Sequence, residues 1–409
     1  MIPTPAEHLA RKTLVASGAT AADWMTVAAS IKNRAFFSSR IQSLRLLQTA
    51  RETISDLLSA APDPDGATTS RAQAVSAIIR KAKALGLDTG SPNLSNPASI
   101  RRAALIVDTN AAQAAGYTSY LLANSTAALH DYPAQELIRI EDRREKRNWV
   151  ARWVAAGGKL YGNRRMIAPK GDPVWTRIST FGNPWPPFDF NSGMGIEDIT
   201  REEAIRLGVI APDQTPDSPK PENFNSNLAA TIPQNQADTL RSLFQDQIQI
   251  TPHPNPDDPS TPILTAAWQT QTIIQAATAA KNFTATYPPV TPAALTRIPT
   301  HLAAQIKDKP LRIESSWLKR HLKHFAPEEN QPDNIPLTPQ ELELIPLVYR
   351  EADRYTAATK REESKKSLVC ELDDRLGSTY RLIVAANRTA PTVKTFYKLR
   401  TETLPRHPA

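Results

Sequence analysis

Between Gly208 and Gly377 the chain has no glycine at all, and its 35 prolines far outnumber its 14 glycines. Glycine supplies φ > 0 bends and loose linkers, whereas proline fixes φ and removes a backbone donor. Connections between modules here should therefore be semi-stiff. Ten of the prolines fall in residues 211–262, among many Asn, Asp and Gln, so this stretch reads as a Pro-rich linker with one helix at 236–247. At 409 residues the chain is too long for one ordinary core, and two or three domains are expected.

A single cysteine, Cys370, excludes an internal disulfide framework and a multi-cysteine metal site. The charged segment from Met1 to Lys12 lacks an apolar signal core, and no apolar run approaches the length of a bilayer span. The expectation is a soluble protein made in the cytoplasm with no membrane contact. Net charge is +8, unevenly spread: +4 over residues 1–134, +6 over 135–180, −6 over 181–300 and +4 over 301–409. The basic block at 135–180 reads either as a nucleic-acid or acidic-protein contact or as a solvated helix surface.

Helical periodicity dominates residues 20–123. Ile41, Leu44, Leu47, Ile54 and Leu58 form one stripe, Val75, Ile78, Ile79 and Leu85 a second, and Ile100 to Leu122 an alanine-rich third. Glu141 to Gly158 reads as a further helix, with Trp149 and Trp153 on one face. Residues 159–195 read as irregular and aromatic, and Thr200-Arg-Glu-Glu203 as a capping box. The stretches 263–283 and 292–306 look helical. Leu311-Arg-Ile313 is strand-like, Ser315 to Phe325 helical, and Thr338-Pro-Gln-Glu341 opens a helix reaching about Tyr349. Three β-rich runs follow at 367–373, 379–386 and 391–397.

The fold class expected is α+β: a mainly helical region over 1–210, the Pro-rich linker 211–262, a helical connector 263–306, a small helix-plus-antiparallel-sheet domain 307–400 and a tail 401–409.

Two stretches carry a resemblance. Residues 35–207, with AFFSSR (35–40), LIVDTN (105–110), GYTSY (116–120) and WTRISTFGNPWPPFDFNSGMG (175–195), resemble the head-morphogenesis region of Mu F-like minor head proteins of tailed phages. Better-known members carry a Cys- and His-containing motif after the paired prolines. Here Phe188, Asp189, Phe190, Asn191 and Ser192 stand there, so no metal role carries over. Residues 309–399, with LRIESSWLKRHLKHF (311–325), LTPQELELIP (337–346) and TYRLIVAANRTAPTVKTFYKLR (379–400), resemble the barnase–EndoU–colicin–RelE class of nuclease domains that such proteins often carry.

The resemblance implies a virion protein of the head interior or portal, with portal and major capsid proteins as partners. It implies an RNase-like effector that needs neither cofactor nor metal, with RNA as its ligand. Alternatives are a ribonuclease toxin delivered by the virion and a DNA-contacting packaging or ejection protein.

Metal-free RNA cleavage needs a base, an acid and cations around the phosphate. The residue types present are His321 and His324, three apart on one helix, with Thr395, Tyr397 and Lys398 on the last strand. Lys319, Arg320, Lys323, Lys394 and Arg381 are the candidate phosphate contacts. Strand alternation puts Thr395 and Tyr397 on one face and Lys394, Phe396 and Lys398 on the other, and the resemblance points to the first pair. A His-x-x-His on a basic helix also reads as a solvated face, and Thr and Tyr are simply good strand formers. No GxGxxG, P-loop, HExxH or GxSxG pattern is present.

Overall fold

The computed structural model describes residues 2–59, 69–143, 146–217, 229–244, 247–270, 273, 284–314, 334–358, 366–374, 377–386 and 389–400. The fold is mixed α+β. Its helices in chain order are α1 (Pro5–Ala10), α2 (Ala21–Thr26), α3 (Ala29–Lys32), α4 (Leu44–Leu58), α5 (Arg71–Ala84), α6 (Ile100–Ala123), α7 (Thr126–Asp131), α8 (Trp149–Ala155), α9 (Val174–Arg177), α10 (Arg201–Arg206), α11 (Ala237–Phe244), α12 (Pro292–Leu295), α13 (Thr300–Ile306) and α14 (Ile345–Glu351). The strands are β1 (Thr13–Val15), β2 (Ala35–Phe37), β3 (Ala134–Arg139), β4 (Leu160–Tyr161), β5 (Arg165–Pro169), β6 (Met194–Ile199), β7 (Ala230–Ile232), β8 (Ile248–His253), β9 (Ile263–Trp268), β10 (Thr284–Tyr287), β11 (Leu311–Glu314), β12 (Asn334–Ile335), β13 (Arg354–Ala357), β14 (Ser367–Asp373), β15 (Ser378–Ala385) and β16 (Thr392–Arg400).

Contacts divide the chain into two compact units. Unit 1 holds residues 1–12, 20–41 and 46–223, and unit 2 holds 13–19, 42–45 and 224–409.

In unit 1 the three periodic stripes become α4, α5 and α6, as their spacing requires. Ser70 and Ser99 cap α5 and α6 by accepting from the amides of Gln73 and Arg102. The helix expected from Glu141 starts only at Trp149, where Asn148 is the N-cap. Before it, the amides of Ile140 and Glu141 both donate to Gly193 O, which carries the β3–β6 pairing on past Arg139. The stretch 159–195 is likewise not wholly irregular. It supplies β4, β5 and the start of β6 to a sheet of order β4-β5-β3-β6. Thr200 Oγ1 accepts from Glu203 N, while Arg165 donates to the Glu203 carboxylate at 2.5 Å.

Trp149 and Trp153 are buried with Val174, Trp175, Ile178 and Phe188 in one cluster. Trp153 meets Trp175 edge-on at 5.0 Å, and Trp175 lies 6.0 Å from Phe188. Trp185 packs on Tyr117 and Tyr120 of α6, each at 5.2 Å. A Cβ at Gly116 would stand 2.0 Å from Pro186 O, so only glycine lets the loop and α6 approach this closely.

In unit 2 the described part of the stretch expected as a linker carries regular structure. β7, β9 and β8 form a three-stranded antiparallel sheet with α11 beside it. The tightly spaced prolines cluster at its margins, and Pro252 on β8 faces Leu264 of β9. The supposed helix 263–283 begins as β9, in which burial alternates only from Ile263 to Ala266 before the buried Ala267 and Trp268. The main sheet runs β10-β11-β16-β15-β14-β13, with β12 added on β16. β10 pairs β11 through Thr284 to Tyr287, so the sheet recruits residues from the expected helical connector. The unit is thus larger than 307–400. The expected helix Ser315 to Phe325 lies outside the described residues.

Thr338 caps the next turn. Its amide donates to Glu341 at 2.6 Å, and a six-residue 3₁₀ segment leads into α14.

Two predictions follow from packing in unit 1. Gly116→Ala should destabilise the folded protein by about 2 kcal/mol, as overpacking against a backbone oxygen does; urea denaturation followed by tryptophan fluorescence measures it. His8, 3% exposed and stacked on Tyr117 at 4.1 Å, has its pKa lowered from 6.5 to about 2 by burial, then by Lys12 and Arg11. Below pH 6.5 the unfolded imidazole takes up a proton that the folded one refuses until near 2. Stability is therefore full above 6.5 and falls as the pH drops through that window. At pH 4.5 the loss from this group should be about 2–3 kcal/mol, and His8→Phe should remove it in denaturant titrations at the two pH values.

Candidate functional site

The main sheet of unit 2 presents two faces, and strand alternation distributes the candidate residues between them. Register places Tyr397 opposite Arg381, Arg381 opposite Glu371, and Glu371 opposite Arg354. These four side chains therefore share one face across β16, β15, β14 and β13. Thr395, opposite Ile383, lies on the same face.

The contacts along this row form a chain of charges. Tyr397 Oη lies 3.4 Å from Arg381 Nη1. Arg381 Nε donates to Glu371 Oε1 at 2.7 Å, and Arg354 Nε donates to Glu371 Oε2 at 2.9 Å. Arg354 also grips Asp373 with both terminal nitrogens, at 2.6 and 2.8 Å, and Thr379 Oγ1 donates to Asp373 at 2.7 Å. Burial alone would lower the Arg381 pKa, but its bonds with Tyr397 and Glu371 outweigh that and raise it. Hydrogen bonds from Arg354 hold the Asp373 carboxyl below the usual range against the opposing effect of burial, with Thr379 and Arg45 adding to the shift. Asp373 and Glu371 in turn push the Arg354 guanidinium up, so it is a permanent cation.

The opposite face is core and clamp. Tyr355, Cys370, Leu382 and Phe396 stand in one row and are buried. Tyr355 Oη donates to Tyr349 O and accepts from Ala352 N, which ties the end of α14 to this face. Lys398 belongs here. Its Nζ bonds Glu341 at 3.1 Å, lies 3.5 Å from Asp374 and sits 5.0 Å over the Tyr380 ring. Tyr380 Oη donates to the same Glu341 oxygen at 2.5 Å. Burial would raise the Glu341 pKa, but the Thr338 amide, Tyr380 and Lys398 overcome this and lower it.

The structure thus brings Thr395, Tyr397 and Arg381 together and separates Lys398 from them. Lys394 sits where the β15–β16 register shifts between Ile383 and Val384, so simple alternation does not place it with Lys398. His321, His324, Lys319, Arg320 and Lys323 lie outside the described residues. Sequence reasoning missed Glu371, Arg354, Asp373 and Thr379. A charged residue within an apolar strand, such as Glu371 in Ser367-Leu-Val-Cys-Glu-Leu-Asp373, was the available signal for a cross-strand partner.

No protein-family model matches the chain, and no curated protein or solved structure is similar enough to count as a match.

In unit 1 six basic residues of the block at 135–180 are paired with acids, from within the block and from beyond it. Arg147 and Arg152 meet Asp189, Arg165 meets Glu136 and Glu203, Lys170 meets Asp198, Lys146 meets Asp142 and Arg143 meets Glu141. Lys170 has no exposed side-chain surface and also bonds Ala123 O at 2.9 Å. Among the described residues no group of three or more His, Cys, Asp and Glu side chains is arranged to hold a metal, and no helix is long and apolar enough to cross a membrane.

Glu371 and Arg381 are the covered members of this row, and removing Glu371 leaves the Arg381 charge uncompensated. Glu371→Gln should therefore cost about 3 kcal/mol by thermal or chemical denaturation, far more than neutralising an exposed acid such as Asp238.

Proposed function

We propose that the chain is a phage-type minor head protein, acting in prohead assembly or at the portal, whose C-terminal unit carries a metal-independent ribonuclease-type face centred on Tyr397. The observation that carries the catalytic half is the 3.4 Å approach of Tyr397 Oη to Arg381 Nη1, with Thr395 two residues away on the same face. A phenol beside a fixed guanidinium suits phosphodiester transesterification. The 2′-hydroxyl attacks phosphorus, the P–O5′ bond breaks, and a 2′,3′-cyclic phosphate and a free 5′-hydroxyl result. Tyr397 supplies the proton for the departing O5′, and Arg381 balances charge on the phosphoryl oxygens. Glu371, spent on two guanidiniums, is a poor base. That role falls to His321 or His324.

The head-protein half is supported by packing. Two of the stretches that carry the resemblance meet at one contact, Gly116–Tyr120 against Trp185 and Pro186. The loop is further fixed by Arg152 donating to Asp189 at 2.8 Å and to Thr180 at 2.8 Å. A loop anchored from both ends is a rigid element that holds this region in one shape.

The full-length protein should cleave single-stranded RNA in the presence of a chelator and leave cyclic-phosphate ends. Tyr397→Phe should slow this by about 100-fold or more without unfolding the protein. Absence of cleavage, or an unchanged rate in the variant, removes the enzymatic half. Mass spectrometry of purified virions decides the other half separately: the chain should be present in them at low copy.

A further inference from the structure

A guanidinium carries its three nitrogens in one rigid plane, so the groups that hold two of them decide where the third points. Arg381 gives Nε and Nη2 to Glu371, which leaves Nη1 as the nitrogen beside Tyr397 Oη. Glu371 is itself held at its other oxygen by Arg354 Nε, at 2.9 Å. Arg354 has both terminal nitrogens on Asp373, so all three of its nitrogens are engaged. The aim of Arg381 therefore depends on Arg354, and that of Arg354 on Asp373.

Asp373 is anchored in turn from the N-terminal part of the chain. Its backbone amide donates to Asp353 Oδ2 at 2.9 Å, and Asp353 Oδ1 pairs with Arg45 Nη2 at 2.7 Å. The Asp353 amide donates to Glu371 O at 2.7 Å, so Asp353 is fastened to β14 at two points. Together with the bonds from Arg354 and Thr379, the Arg45 charge keeps the Asp373 carboxyl below the usual carboxylate range, against the effect of burial. The Arg45 side chain is only 15% exposed, which limits screening by solvent and salt. Glu351 fixes the first turn of α4 through the Leu44 and Arg45 amides, so that turn does not need the Arg45 side chain to stay in place.

Cations and acids thus alternate along one run of contacts: Arg45, then Asp353 and Asp373, then Arg354, Glu371 and Arg381. With a neutral residue at position 45, Asp353 and Asp373 would have Arg354 alone to share. Arg354 would be drawn from Glu371, and Glu371 would shift with Arg381 attached.

We propose that Arg45 is a positioning residue for Arg381, holding Nη1 at Tyr397 Oη through Asp353, Asp373, Arg354 and Glu371. Its bearing on RNA cleavage rests on the ribonuclease reading; its bearing on Arg381 does not.

The test uses the full-length protein and its Arg45→Met, Arg45→Gln and Arg45→Lys variants. In arginine-¹⁵N-labelled protein, with Arg381→Lys to identify the resonance, exchange of the Arg381 Nε proton with water should quicken about tenfold in the two neutral variants. In Arg45→Lys, which keeps the charge, it should stay within about twofold of the wild-type rate. With single-stranded RNA, kcat should fall about tenfold in the neutral variants with KM changed less than about twofold, and Arg45→Lys should recover most of the loss. An Arg381 Nε proton that exchanges at the wild-type rate in the neutral variants, or a lysine variant as impaired as they are, overturns the proposal. If Arg45→Met does not fold, Arg45→Gln decides. If the wild-type protein cleaves no RNA, the ribonuclease reading falls, and the exchange rates alone decide whether Arg45 positions Arg381.

Discussion

One buried carboxylate organises unit 2. Glu351, at the end of α14, accepts from Ser43 Oγ at 2.8 Å, Leu44 N at 2.7 Å and Arg45 N at 3.2 Å. It does for the start of α4 what an N-cap side chain does from within a helix. Beside it, Arg45 pairs with Asp353 at 2.7 Å, and Asp353 accepts from Asp373 N at 2.9 Å. These bonds explain why residues 42–45 belong to the C-terminal unit despite lying some 300 positions earlier in sequence. Residues 13–19 join it through Ser17 Oγ on Leu243 O and the paired bonds between Ala16 and Gln247.

A single strand in this unit serves two purposes. The odd positions of β16 that carry Thr395 and Tyr397 join a row of charges, while Phe396 and Lys398 close a core and clamp Glu341. Neither set can be moved without the other, because a shift of one residue would exchange the faces. The charged row is self-neutralising, with Arg381 and Arg354 against Glu371 and Asp373.

The sequence was most legible where periodicity was long or capping chemistry explicit. α4, α5 and α6 and the strands β14, β15 and β16 lie within a few residues of their expected places, and the Thr338–Glu341 box formed. It was least legible where proline stood in for structure. Residues 211–262 looked like a spacer because proline and polar residues suggest one, yet β7, α11 and β8 bury Ile232, Leu240, Phe244 and Ile248 there. The helix expected from Glu141 starts only at Trp149; ahead of it the backbone of Ile140 and Glu141 pairs with Gly193, over fifty residues away, which no local pattern reveals. At the candidate site, alternation paired Thr395 with Tyr397 correctly. Their neighbours Glu371 and Arg354 depended on register between strands, which a single sequence does not encode.

The paired bonds between Ala16 and Gln247 span 231 residues. A ribosome adding roughly 5–20 residues per second needs about 12–46 s to cover that interval. Throughout it the apolar segment around Leu14 and Val15 has been made but the α11–β9 surface it joins has not, and Arg350 and Glu351 come later still. Unit 2 must therefore close after its last strand emerges, as a late knot tied with an early end of the thread. A cell producing this protein has to shield that end for the whole wait, and fast production in a chaperone-poor setting would favour aggregation over assembly.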